Sequence, residues 1–548
     1  MRHGGQILAD QLKILGVRRV FSVPGESFLA ALDGLYDSGI DNIVCRHEGG
    51  AAMMAEAYGK LTNTPGVAFV TRGPGATNAS SGIHIARQDS TPMVMFVGQI
   101  ARGHRDREAF QEVDYRAMFA PLAKWVAEVE DTARLPEYIS RAFSVAISGR
   151  PGPVVLALPE DMLSAEADVP DLIPSTSALP DLTGPAQTIL SRLKTAKNPL
   201  IVVGGPLWTA SASAALAQFA ETAALPVVTT FRRQDYLDNR HPNFCGDLNV
   251  GLNPTLAKRL QAADCILALG TRLGDIATQG YTLLDPAGHG KTLIHVHADA
   301  DELGRVYAPT LAVNAPAPAM IAALAASNAK QIAPDLTQQM RAEYQTWNTP
   351  KATPGNVKME QVIAHLSDAL PDDAILTNGA GNYAAFLHRY FRYKTYPTQL
   401  APTSGSMGYG VPAAVSAALE HPDRDVICLA GDGCFQMTLN ELSTAAQHNA
   451  KVIFIICNNG QYGTIRMHQE KTYPARVSGT KLFNPDYAAL AKSYGGTGLT
   501  VSKTADFPAA LDTARASKSL AVIELCLDPE ALSTGATLTQ TRAAATNS

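Results

Sequence analysis

The seven cysteines of this 548-residue sequence (Cys45, Cys245, Cys265, Cys428, Cys434, Cys457 and Cys526) are odd in number and scattered, with no C-x-x-C pair. That spacing excludes a zinc ribbon and a disulfide framework, and it reads as reduced core thiols of a cytoplasmic protein. Charge is also sparse: 17% of residues are charged, the formal net charge is -5, and no long basic run occurs. Neither nucleic acid nor an anionic membrane is therefore indicated as a partner. No apolar run approaches the roughly 20 residues that span a bilayer. The opening MRHGGQILADQLKILGV is a mixed amphipathic stretch and does not read as a signal peptide. No convincing G-x-G-x-x-G follows a first strand, which argues against a nicotinamide dehydrogenase. Short repeats and low-complexity blocks are lacking as well.

What is present is an alternation of short apolar runs with longer Ala- and Leu-rich amphipathic stretches. Strands are expected at Val67–Val70, Met93–Val97, Val154–Leu158, Leu200–Val203, Cys265–Leu269, Leu293–Val296, Ala374–Leu376, Val426–Leu429, Val452–Ile456 and Val522–Leu525. This pattern predicts doubly wound parallel-sheet α/β domains. Two polar, proline-bearing stretches, Glu166–Pro185 and Gln338–Val357, read as linkers. They divide the chain into three parts, 1–165, 186–337 and 356–530. The tail after Ala531 is small and polar, and is expected to be mobile.

The strongest chemical signal is in the third part. A strand from Val426 runs into Gly431-Asp432-Gly433, an amphipathic helix is expected over Leu439–Asn449, and a further strand ends at Asn458-Asn459-Gly460. Asp432 and Asn459 then stand at the carboxyl ends of two strands, where open α/β sheets bind ligands. A carboxylate and an amide carbonyl are hard donors suited to Mg²⁺, which is held by few protein groups plus phosphate and water. The glycines let the backbone come close to a diphosphate. In the first part, Arg46-His47-Glu48 precedes a helix expected over Gly49–Thr62, and Thr71-Arg72-Gly73-Pro74-Gly75-Ala76-Thr77-Asn78 follows a second strand.

The stretch from GDG to NNG resembles the thiamine diphosphate motif, and the first part resembles the pyrimidine-binding domain of the acetolactate synthase large-subunit group. The resemblance implies three domains: pyrimidine-binding, central and diphosphate-binding. It implies thiamine diphosphate and Mg²⁺ as cofactors. The metal would be held by Asp432, Asn459 and the backbone carbonyl of Gln461, and Glu48 would bond a ring nitrogen of the aminopyrimidine. Met407, in SGSMGYG after Gly405, would prop the bent cofactor, and Gly381 and Asn382 would touch its diphosphate. Pro24, Thr71, Pro74, Asn78, Gly431, Gly433, Gly463 and Ile465 complete the implied cofactor contacts. Phe110 and Gln111 resemble a loop that reaches the reacting centre, and Lys124 resembles an active-site lysine. The implied reaction is decarboxylation of a 2-oxo acid, with pyruvate the first choice, followed by joining of the acyl unit to an acceptor. The implied assembly is a homodimer or homotetramer whose site lies between the first domain of one chain and the third of another.

Some positions depart from that pattern. Ile276 stands where such synthases carry an arginine for the second substrate's carboxylate, a contact no apolar side chain can make. His468 takes the place of a tryptophan and is a candidate acid–base or acceptor-facing group. Gly49 replaces a common glutamine. Asn249-Val250-Gly251-Leu252 replaces a Gly-Met-His-Gly stretch that helps hold FAD, so FAD is not expected. A decarboxylase, or an aldehyde or acyloin lyase, would use the same cofactor residues. A catalytically inactive regulatory relative would be expected to lose Glu48, Asp432 or Asn459, and all three are present.

Overall fold

The computed structural model describes residues 1–174 and 178–547. The chain divides into two compact units.

The first unit comprises Met1–Ala178, Pro402–Pro422 and Thr438–Lys451. Its sheet is built from β1 (Arg19–Ser22), β2 (Asp41–Val44), β3 (Gly66–Val70), β4 (Met93–Gln99), β5 (Trp125–Glu128) and β6 (Pro153–Pro159). The strands are all parallel, in the order β2-β1-β3-β4-β6-β5. β3, β4 and β6 are buried at every residue. Helices cover both faces of such a sheet, and this is why these segments read as continuous apolar runs without alternation. The helices that matter for the site are α1 (Glu48–Thr62), α2 (Pro74–Asp89), α3 (Leu135–Ile147), α4 (Gly410–Glu420) and α5 (Glu441–Gln447). α1 is rich in Gly and Ala, so its neighbours approach closely; a Cβ on Gly82 of α2 would lie 2.4 Å from that of Ala52. α4 is tied to α1 by Ser416 Oγ donating to the Met54 carbonyl (2.9 Å) and by Tyr409 donating to Glu56. Lys60 pairs with both Glu56 and Asp89 in the same buried layer.

The second unit comprises Leu179–Ala401, Asp423–Met437 and Val452–Ser548 and holds two more sheets. One contains β7 (Pro199–Val203), β8 (Val227–Thr230), β9 (Phe244–Leu248), β10 (Cys265–Leu269), β11 (Thr292–His297) and β12 (Leu311–Asn314), in the order β9-β8-β7-β10-β11-β12. The other contains β13 (Ile375–Asn378), β14 (Gln399–Leu400), β15 (Val426–Gly431), β16 (Ile453–Asn458), β17 (Thr497–Val501) and β18 (Ala521–Cys526), in the order β14-β13-β15-β16-β18-β17. Both are fully parallel, so the fold is three doubly wound α/β sheets. Asp235 joins the two by accepting from the amides of Thr398 (2.9 Å) and Gln399 (3.1 Å). Burial pushes its carboxyl up to about 6, against the pull of those two N–H groups.

Four sequence expectations are corrected. Gln338–Val357 is not all linker: Pro334–Trp347 is a helix, with Met340 and Tyr344 buried one turn apart. The helix expected over Leu439–Asn449 is shorter, α5, and is preceded by a separate turn of helix over Asp432–Gln436. The tail is not loose. Leu538–Thr546 forms a capped helix, Leu532 and Leu538 are buried, and Arg542 binds the carboxylate of Glu470 at 2.6 Å. Cys526 is exposed, whereas the other six free cysteines are buried. In the first expected linker, Glu166–Ala167 pairs with Arg2–His3, and residues 175–177 lie outside the described residues. Among the described residues no helix is long and apolar enough to cross a membrane.

Candidate functional site

In the first unit the candidate residues gather at the carboxyl ends of the strands. β1 is followed by the exposed Pro24 and by Gly25, which packs against Thr71 so closely that a Cβ on it would lie 2.4 Å from the Thr71 Cβ. The Thr71 hydroxyl pairs with that of Ser27 at 2.8 Å. β2 is followed by the turn Cys45–His47, and Glu48 opens α1 with His47 as its cap, Nδ1 accepting from the Gly49 amide at 3.0 Å. Glu48 is half-buried and accepts a hydrogen bond from Asn78 Nδ2 at 3.0 Å. Gly75, near the exposed Pro74, lets α2 settle onto it: a Cβ there would stand 3.2 Å from Glu48 Oε1.

Gly73 (φ 60°) backs onto the loop that carries Phe110 and Gln111; a Cβ on it would meet that of Gln111 at 2.8 Å. The Gly73 amide donates to the Tyr115 hydroxyl at 2.8 Å. Glu112 braces the same loop by accepting from the amides of Asp106 and Ala109, which hold its carboxyl below the usual range. Phe110 is 72% exposed, a large apolar ring presented outward from a braced loop. Gly405 and Met407 belong by packing to this unit, although they stand in the third part of the sequence. Met407 is half-buried between two glycines of positive φ, Gly405 (68°) and Gly408 (79°).

Lys124 is not brought to this cluster. Its ammonium donates to the carbonyls of Val145 and Ser148, both at 2.6 Å, a favourable place for a cation at the end of α3. The turn instead carries Arg72, which is buried and ion-paired to Glu160 (2.9 Å) and Glu26 (3.2 Å). Sequence reasoning missed this triad because its members are 46 and 88 residues from Arg72.

In the second unit, β15 ends at Gly431 and β16 at Asn458. Asp432 is buried and heavily bonded. Oδ1 accepts from the Gly433 amide (3.0 Å), and Oδ2 from the Gly460 amide (2.9 Å) and Asn484 Nδ2 (2.7 Å). Burial raises its pKa and these donors oppose the rise. Asn484 also donates to Asn458 Oδ1 (2.8 Å) and accepts from Gln436 (2.7 Å). No local pattern marked Asn484, since only the fold brings it under Asp432. Asn459 Oδ1 accepts from the Gln461 amide at 3.3 Å.

Gly463 opens α6 (Gly463–Thr472), which also carries Ile465 (54% exposed) and, one turn later, the exposed His468. Asn382, just after Gly381, is fastened to this helix: its amide N–H donates to Thr464 Oγ1, and Thr464 donates to its Oδ1, both at 3.0 Å. α6 is anchored in turn by α7 (Leu538–Thr546) through Glu470, whose carboxylate accepts from Arg466 and Arg542; Arg542 above all lowers its pKa to about 2.

Among the described residues no group of three or more His, Cys, Asp or Glu could hold a metal. The second unit offers one carboxylate plus amide and backbone oxygens at adjacent strand ends, a donor set that fits Mg²⁺ bound together with phosphate and does not fit a zinc site.

Three family models match the chain: "Thiamine pyrophosphate enzyme, N-terminal TPP binding domain" over residues 2–118, "central domain" over 186–324 and "C-terminal TPP binding domain" over 379–525. The chain belongs to the thiamine pyrophosphate enzymes. Its relatives there include acetolactate synthase large and catalytic subunits. It is 30% identical to the acetolactate synthase isozyme 2 large subunit of Escherichia coli, over 96% of either chain. It is 32% identical to the acetolactate synthase large subunit of Corynebacterium glutamicum, over 93% of this chain and 84% of the relative. It is 32% identical to the mitochondrial acetolactate synthase catalytic subunit of Saccharomyces cerevisiae, over 96% and 80%. Thiamine pyrophosphate, which is thiamine diphosphate, is thus the family's cofactor. The two sets of strand ends described above fall within its two TPP-binding matches.

In the central sheet the Gly204 amide donates to the Leu269 carbonyl at 3.1 Å. The Gly204 and Gly205 carbonyls accept from Trp208 and Tyr236, and Asn249 is tied to Asp247.

Proposed function

We propose that the protein is an acetolactate synthase-like carboligase that uses thiamine diphosphate and Mg²⁺. It takes a 2-oxo acid, pyruvate first, releases carbon dioxide and joins the acyl unit to an acceptor carbonyl. The observation that carries this reading is the pairing of Glu48 with Asn78 at one set of strand ends with the oxygen set of Asp432 and Asn459 at another, in a chain that aligns with an acetolactate synthase large subunit over 96% of its length. Bound thiamine diphosphate supplies the electron sink for decarboxylation.

Glu48 holds a proton shared with the cofactor's ring nitrogen, and Asn78 orients its carboxyl. Asp432, Asn459 and the Gln461 carbonyl hold the metal, and Gly381, Asn382, Gly431, Gly433, Gly463 and Ile465 line the diphosphate. Gly405 and Met407 would support the bound cofactor, and Pro24, Thr71 and Pro74 would also contact it. Gln111 bonds the substrate oxygen and Phe110 covers it. The three parts 1–165, 186–337 and 356–530 serve as pyrimidine-binding, central and diphosphate-binding domains, and a second copy completes each site in a homodimer or homotetramer. The free cysteines suit a reducing cytoplasm.

A second reading, decarboxylase or lyase, draws on Ile276 and His468. Ile276 lies half-buried in a single helical turn, Ile276–Thr278, where it offers no charge to an acceptor carboxylate, while His468 is exposed on α6. Carbon dioxide release from pyruvate, with thiamine diphosphate and Mg²⁺ but no added FAD, tests both readings when products are identified in the same tube. Acetolactate supports the carboligase and acetaldehyde the decarboxylase. Absence of release from any 2-oxo acid would overturn the donor assignment.

A further inference from the structure

The turn that delivers Glu48 is held by a set of contacts that the catalytic reading leaves unused. α5 lies on the β2–α1 turn and turns nearly every polar side chain toward it. Glu441 is fully buried, and its two oxygens accept from the Arg46 amide at 3.2 and 3.3 Å. Thr444 donates to Oε2 at 2.6 Å. Ser443 accepts from Arg46 Nε at 3.0 Å, and Gln447 accepts from the same guanidinium. His448 Nε2 accepts from the Val44 amide at 3.3 Å. Gly50 leaves room for the carboxylate: a Cβ on that residue would stand 2.2 Å from Glu441 Oε1.

Residues 441, 444 and 448 share one helical face, and 443 and 447 the next. A buried carboxylate is costly unless it is fully bonded. Here it is bonded to the backbone amide of Arg46, two residues before Glu48.

We propose that Glu441 is a positioning residue for Glu48: its carboxylate fixes the backbone of the turn at Arg46, and so the direction in which the Glu48 side chain leaves α1. This rests on the role given to Glu48 above. Glu441→Gln keeps the shape but turns one acceptor into an NH₂ donor facing the backbone N–H of Arg46.

The test is proton exchange at C2 of thiamine diphosphate bound to the Mg²⁺-loaded protein, followed by NMR, in Glu48→Gln, Glu441→Gln and the double variant. Glu441→Gln is expected to slow exchange about 10- to 100-fold, the usual loss when hydrogen bonds to a charged group are broken, with KM for the donor little changed. The double variant is expected to be no slower than Glu48→Gln alone, because both act through one carboxyl. In the cofactor-free protein, amide hydrogen exchange over residues 46–51 should rise in Glu441→Gln while α2 stays protected. A slowed Glu48→Gln beside an unchanged Glu441→Gln, or fully additive losses, would overturn this inference alone. An unchanged Glu48→Gln would overturn the reading of Glu48 and this inference with it.

Discussion

Glu48 and Asp432 each follow the end of a parallel strand, yet the protein surrounds them differently. Asp432 is buried, with three donors on its two oxygens, one of them a side chain from 52 residues away. Glu48 is half-buried and, among the described residues, accepts a single bond, from Asn78. The backbone before Glu48 is clamped instead, through the equally buried Glu441. A group that must hold a cation gains from a rigid, fully satisfied network. A group that must share a proton needs its carboxyl accessible and its support placed elsewhere, since every bond to the ionised form holds the proton off.

The comparison can be pressed at several points. On the Glu48 side the largest effect is expected: Glu48→Gln should lower turnover about 10²- to 10⁴-fold, the range for a positioned proton-transfer group. Thiamine diphosphate affinity, followed by fluorescence titration, should hardly move. An equal loss of affinity would put Glu48 in the same category as Asp432. On the other side, Asn484→Ala should weaken joint Mg²⁺ and cofactor binding about 10- to 100-fold, as outer-shell partners do, and Asp432→Ala should weaken it more. An unaltered titration in Asn484→Ala would mean that the network packs the turn without tuning the ligand.

Asp247 sharpens the contrast as a buried carboxyl without such a network. Among the described residues its one side-chain donor is Asn249, and burial pushes it up to about 7. The folded value lies above the unfolded value of about 3.9, so the folded chain binds the proton more tightly. That stabilisation is complete below the unfolded pKa and is lost as pH rises through about 7. The melting temperature should therefore fall between pH 5 and pH 8, and Asp247→Asn should flatten that dependence. A flat wild-type profile would count against the burial argument. The smallest effect belongs to Lys124. Lys124→Ala should cost about 1 kcal/mol of stability through the lost bonds at the end of α3, with turnover little changed. A collapse of turnover at unchanged stability would return Lys124 to the reacting centre.

Much of this was legible from residue order. β10 has the bounds its apolar run indicated, Cys265–Leu269, and β15 and β16 end where GDG and NNG begin. A parallel strand buried on both faces announces itself as an unbroken apolar run, and a strand-to-helix turn that must approach a ligand announces itself in glycines. The helix Pro334–Trp347 escaped notice because its buried residues are few and widely spaced among polar ones. The tail escaped because its anchor, Glu470, lies 72 residues away.

Local chemistry thus determined which strands form, which turns carry the cofactor-type residues and which family the motifs resemble, because backbone propensity, apolar periodicity and turn glycines act within a few residues of one another. Only the tertiary structure decided what each polar side chain bonds: that Lys124 serves a helix end, that Asn484 reaches Asp432, that Arg72 sits between Glu26 and Glu160, and that Glu441 holds the turn before Glu48. A buried polar group must find partners wherever the packed chain places them, and sequence distance carries no information about that choice.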